Sequence, residues 1–104
     1  MLYTVCETPV FNQKAKDVWS DTEREQFIVW IAANPLSGDV IPGTGGLRKV
    51  RWRANSHGKR GGARVIYYNL LEHGEIFLLM VYTKNKYDDL PPSFYKMLKE
   101  MVDE

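Results

Sequence analysis

Residues 63–83, ARVIYYNLLEHGEIFLLMVYT, contain two strand-length apolar runs separated by Glu72-His73-Gly74, and they decide the fold class. The first run, 63–71, is rich in β-branched and aromatic residues that suit a pleated surface. The second, 75–83, is almost continuously apolar, as expected of a central strand covered on both faces. Working back from this pair, residues 47–53 alternate. Leu47, Lys49, Arg51 and Arg53 fall on one side, and Arg48, Val50 and Trp52 on the other. The intervening segment 54–62, ANSHGKRGG, is a glycine-rich cationic connection. Upstream, 35–46 (PLSGDVIPGTGG) holds six Gly or Pro residues and is expected to be a loop crossing from helices to sheet.

Toward the N-terminus, 2–6 (LYTVC) is expected to be an opening strand. Thr8-Pro9 is an N-cap followed by proline at the first helical position, which predicts a helix over 9–18 with Phe11, Ala15 and Val18 on its inner side. Ser20-Asp-Thr-Glu23 has the capping-box pattern, and Phe27, Trp30, Ile31 and Asn34 trace one face of a second helix ending at Asn34-Pro35. Pro91-Pro92-Ser93 begins a last helix running to Glu104, with Phe94, Met97, Leu98, Met101 and Val102 on its apolar side. Asp88 and Asp89 are expected to serve its N-terminus. The predicted order is β-α-α-β-β-β-α: an α+β fold with a small antiparallel sheet, helices mainly on one face and a basic groove on the other.

A chain of 104 residues with an ordinary apolar share is expected to form one domain, 1–104, around one modest core. The lone Cys6 has no internal disulfide partner, which fits a reducing cytoplasm. The N-terminus lacks the basic start and long apolar region of a signal peptide, and Ile76 to Tyr82 is too short an apolar run to cross a bilayer. A cytoplasmic protein without membrane attachment is expected. There is no internal repeat or low-complexity tract.

Charge is distributed unevenly. The chain carries a formal +1, yet no acidic residue lies between Val40 and Leu71 while seven of the fourteen Lys and Arg do. They are Arg48, Lys49, Arg51, Arg53, Lys59, Arg60 and Arg64. A concentrated cationic surface recruits phosphates. Alternation puts Lys49 and Arg51 together, Arg64 begins the next strand, and Lys84 follows the third. With neighbouring strands about 5 Å apart, these four are expected to converge on one patch. Lys59 and Arg60 then supply steering charge from the connecting segment.

Such a patch can bind a nucleic-acid backbone while Trp52, Tyr68 and Tyr82 offer rings to bases. It can also cut RNA without metal. The ribose 2′-hydroxyl attacks the adjacent phosphate, an arginine fork meets the growing charge, and the leaving 5′-oxygen takes a proton. A lysine can be the acid, or the base if crowding by cations lowers its pKa; an unperturbed lysine is neutral only about 0.04% of the time at pH 7. No carboxylate pair, metal-ligand cluster or Ser-His-Asp pattern competes, and no cofactor is called for. GTGG lacks the Lys-Ser/Thr of a phosphate loop. His57 is expected to be solvated, His73 is a turn residue, and Trp19, Phe27, Trp30 and Ile31 are assigned to the core.

GDVIPGTGGLRKVR (38–51), GKRGGARVIYY (58–68) and LLMVYTKNKYDDL (78–90) together resemble the RelE/ParE toxin superfamily of toxin–antitoxin systems, and the HigB-type branch in particular. The resemblance implies a ribosome-dependent mRNA endonuclease, or mRNA interferase, that stops translation. It also implies a cognate antitoxin, of helix-turn-helix DNA-binding type, through which the complex would touch operator DNA indirectly. Its partners would be the ribosome and mRNA. Lys49 and Arg51 match the paired strand cations, Arg64 the central phosphate-binding arginine, and Lys84 the basic motif after the last strand. Together these four are the expected catalytic residues. Arg48, Arg53, Lys59, Arg60, Lys86 and Tyr82 are the expected RNA contacts. Asn85 stands where some RelE enzymes have a second arginine, and Pro91 where they have a catalytic tyrosine, leaving Tyr87 and Tyr95 as substitutes. The superfamily also contains ParE-type inhibitors of DNA gyrase, the alternative activity.

Overall fold

A computed structural model describes residues 2–52, 62–84, 86–87 and 89–103, and among them nine elements. In order they are β1 (Thr4–Glu7), α1 (Pro9–Val18), α2 (Asp21–Ala33), β2 (Asp39–Val40), β3 (Arg48–Trp52), β4 (Ala63–Leu70), a 3-10 turn (Leu71–His73), β5 (Glu75–Thr83) and α3 (Pro92–Glu100). Both predicted caps form. Thr8 Oγ1 accepts the Phe11 N–H at 3.3 Å, and Ser20 and Glu23 exchange bonds of 3.2 and 2.9 Å. Each satisfies N–H groups that a helix start otherwise leaves orphaned.

The strands form one sheet in the order β1-β5-β4-β3-β2. From β2 to β5 the pairing is antiparallel, as the turns require, but β1 lies parallel to β5, with Val5 opposite Ile76 and Cys6 opposite Phe77. The sheet is therefore mixed. No hairpin links β1 to β5, so the path of the whole chain, and not a turn, sets their direction. The expected loop at 35–46 also hides a strand: Asp39 and Val40 pair with Lys49 and Arg48. The intervening turn is closed by Ile41 N–H to Leu47 O (2.7 Å) and Thr44 Oγ1–H to Ile41 O (2.6 Å). Gly43 and Gly45 there have φ of 74° and 76°, which side chains with a Cβ avoid.

Two apolar clusters sit on opposite faces. On one, Phe11, Ala15, Val18, Phe27 and Ile31 of α1 and α2 pack with Val50, Val65, Tyr67 and Val81. Phe27 stacks on Trp19 at 5.3 Å and meets Trp52 edge-on at 5.5 Å. On the other face, Tyr95 and Leu98 of α3 pack with Leu47, Ile66, Met80 and Tyr82. This explains why β5 is apolar from Ile76 to Tyr82: helices cover it from both sides. Two helices share one face as expected, while α3 roofs part of the face expected to be open. Among the described residues no helix is long and apolar enough to cross a membrane.

Candidate functional site

The cationic residues occupy the end of the second face that α3 leaves uncovered. Arg51 of β3 is directly opposite Arg64 of β4, and Lys49 is opposite Ile66. Directly opposed residues of an antiparallel pair project from the same face, with Cβ atoms about 5 Å apart. Lys49, two residues before Arg51, shares that face. The three cations line a cavity of about 480 Å³, completed by Asp39 and Val40 of β2, by Ile41 and Pro42 just after it, by Asp89 and by Tyr95. Like charges directly opposed in a sheet cost stability, so an opposite-charge pair would have served folding better. Arg51 and Arg64 thus set two guanidinium side chains next to each other at this end of the face.

Asp89 brings negative charge to this wall. Its Oδ1 accepts from the Leu90 N–H at 2.8 Å, the Tyr95 hydroxyl at 2.8 Å and Lys49 Nζ at 3.4 Å. The Tyr95 hydroxyl, then the Leu90 N–H and Lys49, hold its carboxyl below the ordinary value. Burial, and then the bond to Asp89, push the Tyr95 phenol well above the usual tyrosine range. Tyr95 is thus a hydrogen-bond donor at neutral pH. Beneath them Tyr82, only 3% exposed and opposite Arg64, is raised by burial and by the Asp89 charge. Its hydroxyl lies beside that of Tyr95, without a well-formed hydrogen bond to any described residue.

The expected site residues separate into groups. Lys49, Arg51 and Arg64 come together. Lys84 lies exposed in the turn after β5 and is not among the cavity's lining residues. Lys86 is exposed beside Lys14, Asp17 and Tyr87, around a separate cavity of about 110 Å³. Tyr82 is a buried residue, not an exposed ring, and is not among the residues lining this cavity. Arg48 shares the side of Tyr67, and its guanidinium donates to the Gly38 carbonyl at 2.6 Å, tying β3 to the start of β2. Arg53, Lys59, Arg60 and His57 lie outside the described residues, as do Asn85 and Asp88. Of the two substitute tyrosines, Tyr95 reaches the cavity, while Tyr87 packs edge-on to Tyr82 at 6.0 Å. Asp39 and Pro42 had no signal within a segment expected to be loop. Asp89 was legible as a residue serving the last helix, but its reach to β3 was not.

Fold and site together define a class: small α+β proteins with a helix-flanked sheet that presents clustered cations at one end of one face. No family model matches the sequence. Among solved structures the chain is similar to free Escherichia coli RelE toxin, a mutant with two arginines replaced by alanine. Identity is 17% and TM-score 0.64, over 98% of this chain and 100% of that one. It is likewise similar to a chain of the Mycobacterium tuberculosis RelBE2 toxin–antitoxin complex, with 17% identity and TM-score 0.62, covering 80% and 99% of the two chains. A third similarity is to the E. coli RelE mutant bound to a peptide of the antitoxin RelB. Identity there is 18% and TM-score 0.58, with 100% and 98% covered. The fold of this chain is the RelE toxin fold.

Proposed function

We propose that this chain is the toxin of a type II toxin–antitoxin system, a ribosome-dependent mRNA endonuclease of the HigB-type branch. One observation carries the proposal. Arg51 and Arg64, opposed in register, share a cavity with Lys49 on a RelE-like sheet. In this role the two guanidiniums bracket the scissile phosphate and meet the charge that grows on its non-bridging oxygens as the 2′-hydroxyl attacks. Lys49 adds charge from the same face, and Tyr95 is a protonated donor beside them. Lys84 and Lys86, exposed outside this cavity, act on the RNA backbone away from the reacting phosphate, and Arg53, Lys59 and Arg60 add RNA contacts. The cognate partner is an antitoxin, of helix-turn-helix type and acting in the cytoplasm, that brings the complex to operator DNA.

The test is inducible expression of the wild type beside Arg64→Ala, with 5′ ends mapped on translated and untranslated copies of one mRNA. Cuts confined to translated codons, and lost in Arg64→Ala, are the expected result. Growth arrest with intact mRNA would overturn it in favour of a ParE-like block of DNA gyrase.

A further inference from the structure

We infer that Asp89 is a positioning residue for this cleavage: it fixes where Lys49 presents its charge while itself opposing the charge of the substrate. The inference rests on the RNA-cutting function proposed above. Three donors converge on one oxygen, Asp89 Oδ1. The two short bonds come from Leu90 and Tyr95, at the entry to α3 and within it. The third donor, Lys49 Nζ, arrives across the cavity from β3. The carboxylate is thus anchored from the α3 side whether or not Lys49 is present, and the lysine is the tethered partner. With its side chain 67% exposed, Asp89 does not need Lys49 to neutralise a buried charge. A surface ion pair of this kind adds little to folding, so its consequence lies in where it holds the lysine.

A lysine has a flexible four-carbon stem and three N–H donors. One donor directed at Asp89 selects among the stem's conformations and leaves two for a phosphate held by Arg51 and Arg64. Prior ordering of a catalytic charge raises turnover. The same carboxylate repels the phosphodiester and weakens ground-state binding. Removing its charge must therefore move affinity and turnover in opposite senses for function, a signature that loss of structure does not produce.

Asp89→Asn isolates the charge, because the amide oxygen still accepts from Leu90 and Tyr95. The experiment measures cleavage of a defined mRNA on programmed ribosomes over a range of substrate concentrations, with thermal midpoints taken alongside. Expected for Asp89→Asn are a KM lowered about threefold, a kcat lowered about fivefold and an unchanged midpoint. Tyr95→Phe removes an anchor and keeps the charge, so kcat falls while KM stays. A wild-type kcat in Asp89→Asn, or KM and kcat that change only with the folded fraction, would overturn the role. Wild-type enzyme that cuts beside an unaltered Asp89→Asn removes this inference alone. Wild type that leaves mRNA intact, as Arg64→Ala does, removes the proposed function and this role with it.

Discussion

Replacing Tyr67 by phenylalanine should cost about 2–4 kcal/mol, although it deletes a single oxygen. Tyr67 is fully buried in β4. Its hydroxyl donates to the Pro35 carbonyl at 2.8 Å and accepts the Gly38 N–H at 2.8 Å. The two losses are unequal. Pro35 O keeps a second donor, Asn69 Nδ2, at 2.8 Å. Gly38 N–H is left with no partner in a buried position, where an unmet donor costs about 1–3 kcal/mol on top of about 1 kcal/mol for the lost bond. Urea unfolding is the assay, and the midpoint should fall by about 1–2 M with an unchanged slope. The effect should reach the cavity as well, since Gly38 leads into Asp39 and Val40, which form its wall. A loss below about 1 kcal/mol would refute the reasoning, because it would mean that water or backbone relaxation meets the Gly38 N–H.

Three further outcomes are expected. Phe27→Ala removes the ring that contacts Trp19, Trp30 and Trp52, and should cost about 3–5 kcal/mol with a marked change in tryptophan fluorescence; a milder loss would mean the indoles close the gap. Ser20→Ala should cost about 1 kcal/mol by breaking the reciprocal cap, read from the thermal midpoint. Tyr67, Tyr82 and Tyr95 have folded-state pKa values raised above the ordinary 10, first by burial. Their stabilising effect is therefore complete below pH 10 and lost as pH rises beyond it. In a tyrosinate absorbance titration these three of the six tyrosines should ionise late and together with alkaline unfolding.

What the sequence made legible was local or periodic. Thr8 and the Ser20–Glu23 pair act within one helical turn, so their hydrogen bonds could be read from spacing alone. The alternation of 47–53 correctly grouped Lys49 with Arg51, and the uninterrupted 75–83 run correctly implied cover on both faces. What escaped depends on contacts between distant segments. β2 is two residues long and exists through pairing with Lys49 and Arg48, beyond what glycine and proline content can show. The parallel direction of β1 is set by contact with β5, 71 positions along the chain in the Val5–Ile76 register. Asp89 meets Lys49 across 40 positions of sequence, so its charge was invisible to a count that found no acid between Val40 and Leu71.

The cationic site and the second core are two ends of one surface. From Leu47, just before β3, the shared face runs on to Lys49 and Arg51; along β4 it runs Arg64, Ile66; and along β5 it runs Met80, Tyr82. Leu47, Ile66 and Met80 are sealed under α3. Two residues of strand, about 6.6 Å, separate Ile66 from Arg64, and four, about 13 Å, separate Leu47 from Arg51. The cations thus stand at the border of a low-dielectric layer, which strengthens their field toward a phosphate beyond what the same charges would exert in open solvent. α3 contributes on both sides of that border: Leu98 seals the apolar end, and Tyr95 reaches Asp89 at the cavity. A helix that shifted on the sheet would therefore alter the core and the charge geometry together. That coupling is why α3, which contributes no cation to the cavity, bears directly on how the cationic residues can act.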